Sequence, residues 1–159
     1  QSRINSSYIV KNDISRNGPV IDLPVTALRS RVPLFDGEYR HLEICAVGGA
    51  EAVDALGRLA DAGYSCATVL THPGEFFYRS RGGTNFLKKN CRRLEAVLRF
   101  VTSRGDIEPL TVSECGSRSV IPMHSSPELY LKMDYSLLRL CEQGIDRVIK
   151  LFGKRERRK

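Results

Sequence analysis

The chain has 159 residues, 42% of them hydrophobic, enough for one domain with its own core and too apolar for a disordered segment. Its formal charge of +7 is uneven: residues 147–159 hold seven Lys/Arg and one Glu, which leaves 18 basic and 17 acidic residues elsewhere. A near-neutral body with a basic tail argues against a nucleic-acid-binding core, and the tail, Lys154 to Lys159, reads as a solvated terminus or a peripheral contact with acidic lipid or RNA.

Residues 1–18 are polar, with turn signals at Asn5-Ser6-Ser7 and Asn17-Gly18 around a short Tyr8-Ile9-Val10 stretch. Val20 to Thr26 predicts a strand broken at Pro24, and Arg29 to Arg40 a loop punctuated by Pro33 and Asp36-Gly37. A strand over 41–47 follows, with Leu42, Ile44 and Ala46 alternating. Gly48-Gly49 then turns into a helix over 50–62, its Val53, Leu56, Leu59 and Ala60 on one side and Gly63 as its stop.

Cys66 to Leu70 is a continuous apolar run, the mark of a strand covered on both faces, and Pro73-Gly74 stops it directly after His72. The strand–helix–strand order implies a parallel pair. It delivers a histidine to a strand end, where α/β folds place their chemistry. His72 supports two accounts at this point, an acid/base group or a histidine satisfied by local hydrogen bonds, and Glu75 and Asp106 are the carboxylates within sequence reach of it.

Thr84 is the expected N-cap of the next helix, whose Leu87, Cys91, Leu94, Val97, Leu98 and Val101 form an apolar stripe ending at Gly105. Ile107 to Val112 is a further strand candidate, and 116–127 an irregular passage. Beyond it, Leu137, Leu138, Cys141, Ile145, Val148, Ile149 and Phe152 make the stripe of an amphipathic helix, read as docked on the domain or lying on a membrane surface. The expected order is β, β, α, β, α, β, then a C-terminal helical extension.

The five cysteines are odd in number and scattered, without a C-x-x-C pair. Most are expected as small core residues of a protein in a reducing, cytoplasmic compartment, and they frame neither a disulfide scaffold nor a zinc site. The chain opens at Gln1 without a methionine, so a preceding targeting signal stays open. His41 and His124 read as incidental, and no carboxylate–histidine set has metal-ligand spacing. Gly48-Gly49 and Gly82-Gly83 fit no phosphate-loop pattern, no G-x-S-x-G elbow is present, and Arg79-Ser80-Arg81 reads as a solvated loop.

The ordered set Asp22-Leu23-Pro24-Val25-Thr26, then Thr68-Val69-Leu70-Thr71-His72-Pro73-Gly74-Glu75-Phe76, then Arg93-Leu94-Glu95 and Leu110-Thr111-Val112-Ser113-Glu114, resembles the C-terminal half of the polysaccharide deacetylases, the NodB-homology carbohydrate esterases. Its most specific element is Leu70-Thr71-His72, similar to that family's Leu-x-His. The resemblance implies an α/β fold, part of a distorted (β/α) barrel over residues 1–126, with 127–159 as the helical extension. It also implies hydrolysis of acetyl groups on a bacterial cell-surface polysaccharide or its sugar precursor by water activated on a divalent metal, zinc in the first instance. On the matched positions His72 would be the general acid, Leu70 would line the pocket for the acetyl methyl, and Asp22 would be the carboxylate that tunes the histidine.

The departure from the family is large. Its Asp-Asp pair and two metal-binding histidines are not found between Gln1 and Lys159, and such a barrel needs roughly 200 residues. The metal ligands are therefore expected outside this sequence, on a longer natural polypeptide or on a partner chain that completes the barrel. The alternative is a non-catalytic carbohydrate- or partner-binding module that keeps the fold.

Overall fold

A computed structural model describes residues 14–17, 19–29, 39–80, 83–118 and 141. In chain order the elements are β1 (Ser15–Asn17), β2 (Val20–Asp22), β3 (Ala27–Arg29), β4 (Tyr39–His41), helix α1 (Gly49–Asp61), a 3-10 turn (Pro73–Glu75), β5 (Phe77–Ser80), β6 (Gly83–Phe86), helix α2 (Lys88–Ser103) and helix α3 (Val112–Ser117). Each strand pairs antiparallel with its neighbour in sequence: β1 with β2, β3 with β4, and β5 with β6.

The parallel element is short and central. Glu43 and Leu70 form a parallel bridge. The Leu70 N–H donates to the Leu42 carbonyl (2.8 Å) and the Ile44 N–H to the Leu70 carbonyl (3.1 Å). On the other side the Leu42 N–H donates to the Thr26 carbonyl (2.7 Å). Thr26, fully buried, also accepts from the Thr68 N–H through its hydroxyl (2.8 Å), so its side chain stands in for a strand partner. The connection between the bridged segments is α1, as the parallel reading requires.

Local chemistry accounts for α1. The Gly48 N–H, preceding the first turn, donates to the Glu51 carboxylate (3.1 Å). At the far end Gly63 takes φ 74°, a left-handed conformation that favours glycine. The Tyr64 N–H then reaches back to the Leu59 carbonyl (3.0 Å) and closes the helix end. Gly49 and Gly57 face α2 at van der Waals distance: a Cβ at Gly49 would lie 3.4 Å from the Arg93 Cα, and one at Gly57 3.5 Å from the Phe100 ring. Ala52, Ala55, Leu56 and Leu59 pack with Leu28, Leu42, Ile44, Val47 and Val97 as the core, fringed by Val69, Phe76, Leu94, Phe100 and Val101. Arg104 ties the helix ends, its guanidinium bonded to Asp61 (2.9 Å), the last residue of α1, and to Asp106 after α2.

Several expectations are corrected. The strand over 41–47 stops at Glu43, because the Glu43 carbonyl accepts from the Ala46 and Val47 N–H groups (3.0 Å each) and curls the chain into a turn. The run Cys66 to Leu70 is extended but bridged only at Leu70, and no residue in it is buried. Thr84 does not cap a helix; it lies in β6 opposite Arg79, and α2 begins at Lys88. Ile107 to Val112 is not a strand: Thr111 caps α3, its hydroxyl accepting from the Glu114 N–H while the Glu114 carboxylate accepts from the Thr111 N–H (2.7 Å). The loop over 29–40 carries strand residues at both ends, Arg29 opposite Tyr39. Of the cysteines, Cys115 is buried, Cys66 and Cys91 are half-buried, and Cys45 and Cys141 are exposed. The Tyr8 stretch, His124, the basic tail and the C-terminal stripe, Cys141 apart, lie outside the described residues. No helix among the described residues is long and apolar enough to cross a membrane.

The stripe read from α2 is wider than its buried face, since Val97 is 5% exposed but Leu98 is 54% exposed. Truncation separates positions that periodicity treats alike. Leu59→Ala, at 2% exposure, is expected to destabilise by about 2–5 kcal/mol. Leu98→Ala is expected to stay within about 0.5 kcal/mol, both read from urea midpoints.

Candidate functional site

His72 stands where the sequence places it, exposed immediately beyond the bridged Leu70, with its carbonyl accepting from the Glu75 N–H (3.0 Å) as the 3-10 turn begins. That turn brings Glu75 back beside it. Glu43, from the bridged segment on the other side, completes the group: one ligand-capable atom each of Glu43, His72 and Glu75 lie within 4.8 Å of one another. The Thr71 hydroxyl donates to the Glu75 carboxylate (3.3 Å).

Cys45 adjoins the same group, its thiol hydrogen-bonded to Glu75 and Glu43. Partial burial of the sulfur, these hydrogen bonds and the negative charge of both carboxylates push the thiol up to about 12. Although Cys45 is exposed as a residue, its sulfur is held as a neutral S–H donor and not as a nucleophile.

Helix α2 braces both turns. Arg93, 8% exposed, directs one guanidinium nitrogen at the carbonyls of Ile44 (3.2 Å) and Cys45 (3.1 Å). One turn earlier, the Asn90 amide donates to the Glu75 carbonyl (2.6 Å), and its oxygen accepts from Arg93 (3.4 Å). These groups fix the backbone that carries the four side chains.

Of the residues singled out by sequence, His72 and Glu75 come together. Asp106 does not join them: Arg104 pairs with it and holds its carboxyl below the usual range. Asp22 is exposed on β2 opposite Ser15 and is not one of the group. Leu70 is half-buried in the bridge, two residues before His72. His41 lies on β4 opposite Ala27. Sequence reasoning missed Glu43 and Cys45, and the signal that finds Glu43 is its place in the segment expected to run parallel to the one leading to His72.

The donors of Glu43, His72 and Glu75 fit a divalent ion by type, two carboxylates and an imidazole, but they are not the Asp-His-His set that the resemblance implies. A histidine whose nitrogen is taken by a metal cannot also release a proton from that atom. In comparisons with known proteins, no family model, curated protein or solved structure matches this chain. The chemistry of the site rests on its own geometry.

The thiol gives a direct check on this arrangement. At pH 8 Cys45 is expected to react with iodoacetamide at least about tenfold more slowly than an unperturbed cysteine, because raising its pKa removes thiolate. Glu75→Gln removes one cause of that shift and is expected to speed the reaction several-fold, followed by mass spectrometry of the Cys45 peptide. An ordinary rate at Cys45 would show that the carboxylates do not surround it.

Proposed function

We propose that this chain is the acid-bearing half of a metal-dependent hydrolase that removes acetyl groups from a cell-surface polysaccharide or its sugar precursor. The observation that carries the proposal is His72, exposed directly beyond a parallel-bridged segment and flanked by the Glu43 and Glu75 carboxylates. In this role the imidazolium N–H donates its proton to the departing sugar oxygen or nitrogen as the acetyl C–O or C–N bond breaks. The neighbouring carboxylates fix the ring's orientation and tautomer. Leu70, one residue before Thr71, would border the acetyl methyl.

The water-activating ion of such an enzyme belongs, in this proposal, to ligands outside residues 1–159. They would sit on a further stretch of the natural polypeptide or on a partner chain that completes the barrel. Its chemistry when bound is to lower the pKa of water and polarise the acyl carbonyl. What this chain supplies is the proton and the wall beside it.

A second reading has its own observation. Phe77, Tyr78 and Phe86, on β5 and β6, are 39%, 47% and 70% exposed. An open groove of about 400 Å³ is lined by Phe76, Phe86, Cys91, Leu94 and Leu98, with Glu95, Arg99 and Thr102 also on it. Exposed rings together with a largely apolar groove suit a non-catalytic carbohydrate- or partner-binding module.

The deciding experiment measures acetate release from acetylated sugar polymers by the native gene product, purified with whatever accompanies it. His72→Ala is expected to lower turnover by about 10²-fold or more while leaving bound metal unchanged. Unchanged turnover removes His72 from the mechanism. A native product that binds such polymers but releases no acetate gives the function to the binding module.

A further inference from the structure

Glu43 approaches His72 and Glu75 across the parallel bridge, Glu43 as a bridge residue and the other two shortly beyond its partner Leu70. One ligand-capable atom of each, two carboxylate oxygens and an imidazole nitrogen, lie within 4.8 Å of one another. The backbone beneath them is braced. The Ile44 N–H donates to the Leu70 carbonyl (3.1 Å), Arg93 donates to the Ile44 carbonyl (3.2 Å), and the Asn90 amide donates to the Glu75 carbonyl (2.6 Å). Two carboxylates brought this close repel each other. Among the described residues, no Lys or Arg forms an ion pair with either, and the Thr71 hydroxyl that donates to Glu75 (3.3 Å) brings no charge.

We propose that Glu43, His72 and Glu75 bind a zinc ion through these three atoms, with its remaining coordination left to solvent, and that the ion clasps the two bridged segments together. Zinc bonds to imidazole nitrogen and carboxylate oxygen are about 2.0–2.2 Å long, which sets ligand–ligand edges of roughly 3.3–3.5 Å in a tetrahedron. Atoms now within 4.8 Å of one another reach those edges by closing at most about 1.5 Å. Side-chain rotation supplies that movement, since His72 is exposed and Glu43 and Glu75 are only half-buried. The imidazole favours zinc over magnesium and calcium, which prefer all-oxygen shells, and the two carboxylates balance the ion's charge. Binding to a neutral imidazole and two ionised carboxylates forms and breaks no covalent bond in the protein and needs no redox partner. Three ligands on accessible side chains make the ion exchangeable, distinct from any metal that the native product retains through purification. The site does not rest on the deacetylase reading and competes with it, because a His72 nitrogen held by the ion releases no proton.

The test titrates the full chain, stripped with a chelator, with Zn²⁺ in a calorimeter. The expected result is one saturable ion per chain, with affinity at least about tenfold weaker in each of Glu43→Gln, His72→Gln and Glu75→Gln. Excess Mg²⁺ should not displace the zinc. Zinc should also raise the thermal midpoint of the unaltered chain, because an ion that binds only the folded state stabilises it, and should not raise that of the three variants. Circular dichroism melts without metal establish that each variant is folded. No saturable binding, affinity retained in His72→Gln or in both glutamate variants, or displacement by Mg²⁺ would overturn the site. Zinc binding that needs His72, together with acetate release indifferent to His72→Gln, would discard the deacetylase reading and keep the site. Acetate release that needs His72 without saturable zinc binding would do the reverse.

Discussion

The arrangement depends on one buried cation. Arg93 leaves α2 at 8% exposure and satisfies two carbonyls, those of Ile44 and Cys45, at a turn where the chain passes from an extended segment into α1. Ile44 is itself buried, so its carbonyl has little access to water. An orphaned carbonyl in such a place costs roughly 1–3 kcal/mol, and a guanidinium, planar and multidentate, can serve both at once. The start of α1 lies close against this residue, a Cβ at Gly49 being 3.4 Å from the Arg93 Cα. The same helix turn holds Asn90 against the Glu75 carbonyl, so one short stretch of α2 positions every backbone segment from which the site's side chains project.

This explains why the site was only half legible in the sequence. α1 could be read because its signals are local: a glycine pair at the start, a three-residue apolar rhythm, and Gly63 to end it. His72 could be read because a strand-like run and Pro73-Gly74 bracket it. Glu43 and Cys45 could not, since what brings them to His72 is a parallel bridge across the whole of α1, and no spacing rule encodes a contact between residues so far apart. The cysteine was assigned to the core on the apolarity of its neighbours, but Ile44 and Val47 take the buried positions and leave Cys45 outside.

The misread elements share another cause. Thr84 has the chemistry of an N-cap, but tertiary pairing overrides it: β6 lies in register with β5, Phe86 opposite Phe77. At Ile107 to Val112 the error runs the other way. Apolar content suggests a strand, while Thr111 and Glu114 carry the three-residue spacing of a capping box, and the local hydrogen bonds prevail where no strand among the described residues competes. Propensity decides where pairing is absent, and pairing decides where it is present.

The sharpest mismatch is also the most instructive. Cys66 to Leu70 has the composition of a strand buried on both faces, yet every residue in it is exposed or half-buried among the described residues. Val69 packs toward the core beneath α1, while Ala67, the neighbour two positions before it, is exposed. A sequence evolved for one-sided burial alternates polar with apolar residues, and this one does not. The composition is accounted for if another layer of structure packs beside these residues, and the proposed barrel would supply one directly next to His72. Among the described residues that side of the bridge carries no neighbouring strand, and a layer packed there would lie directly against His72.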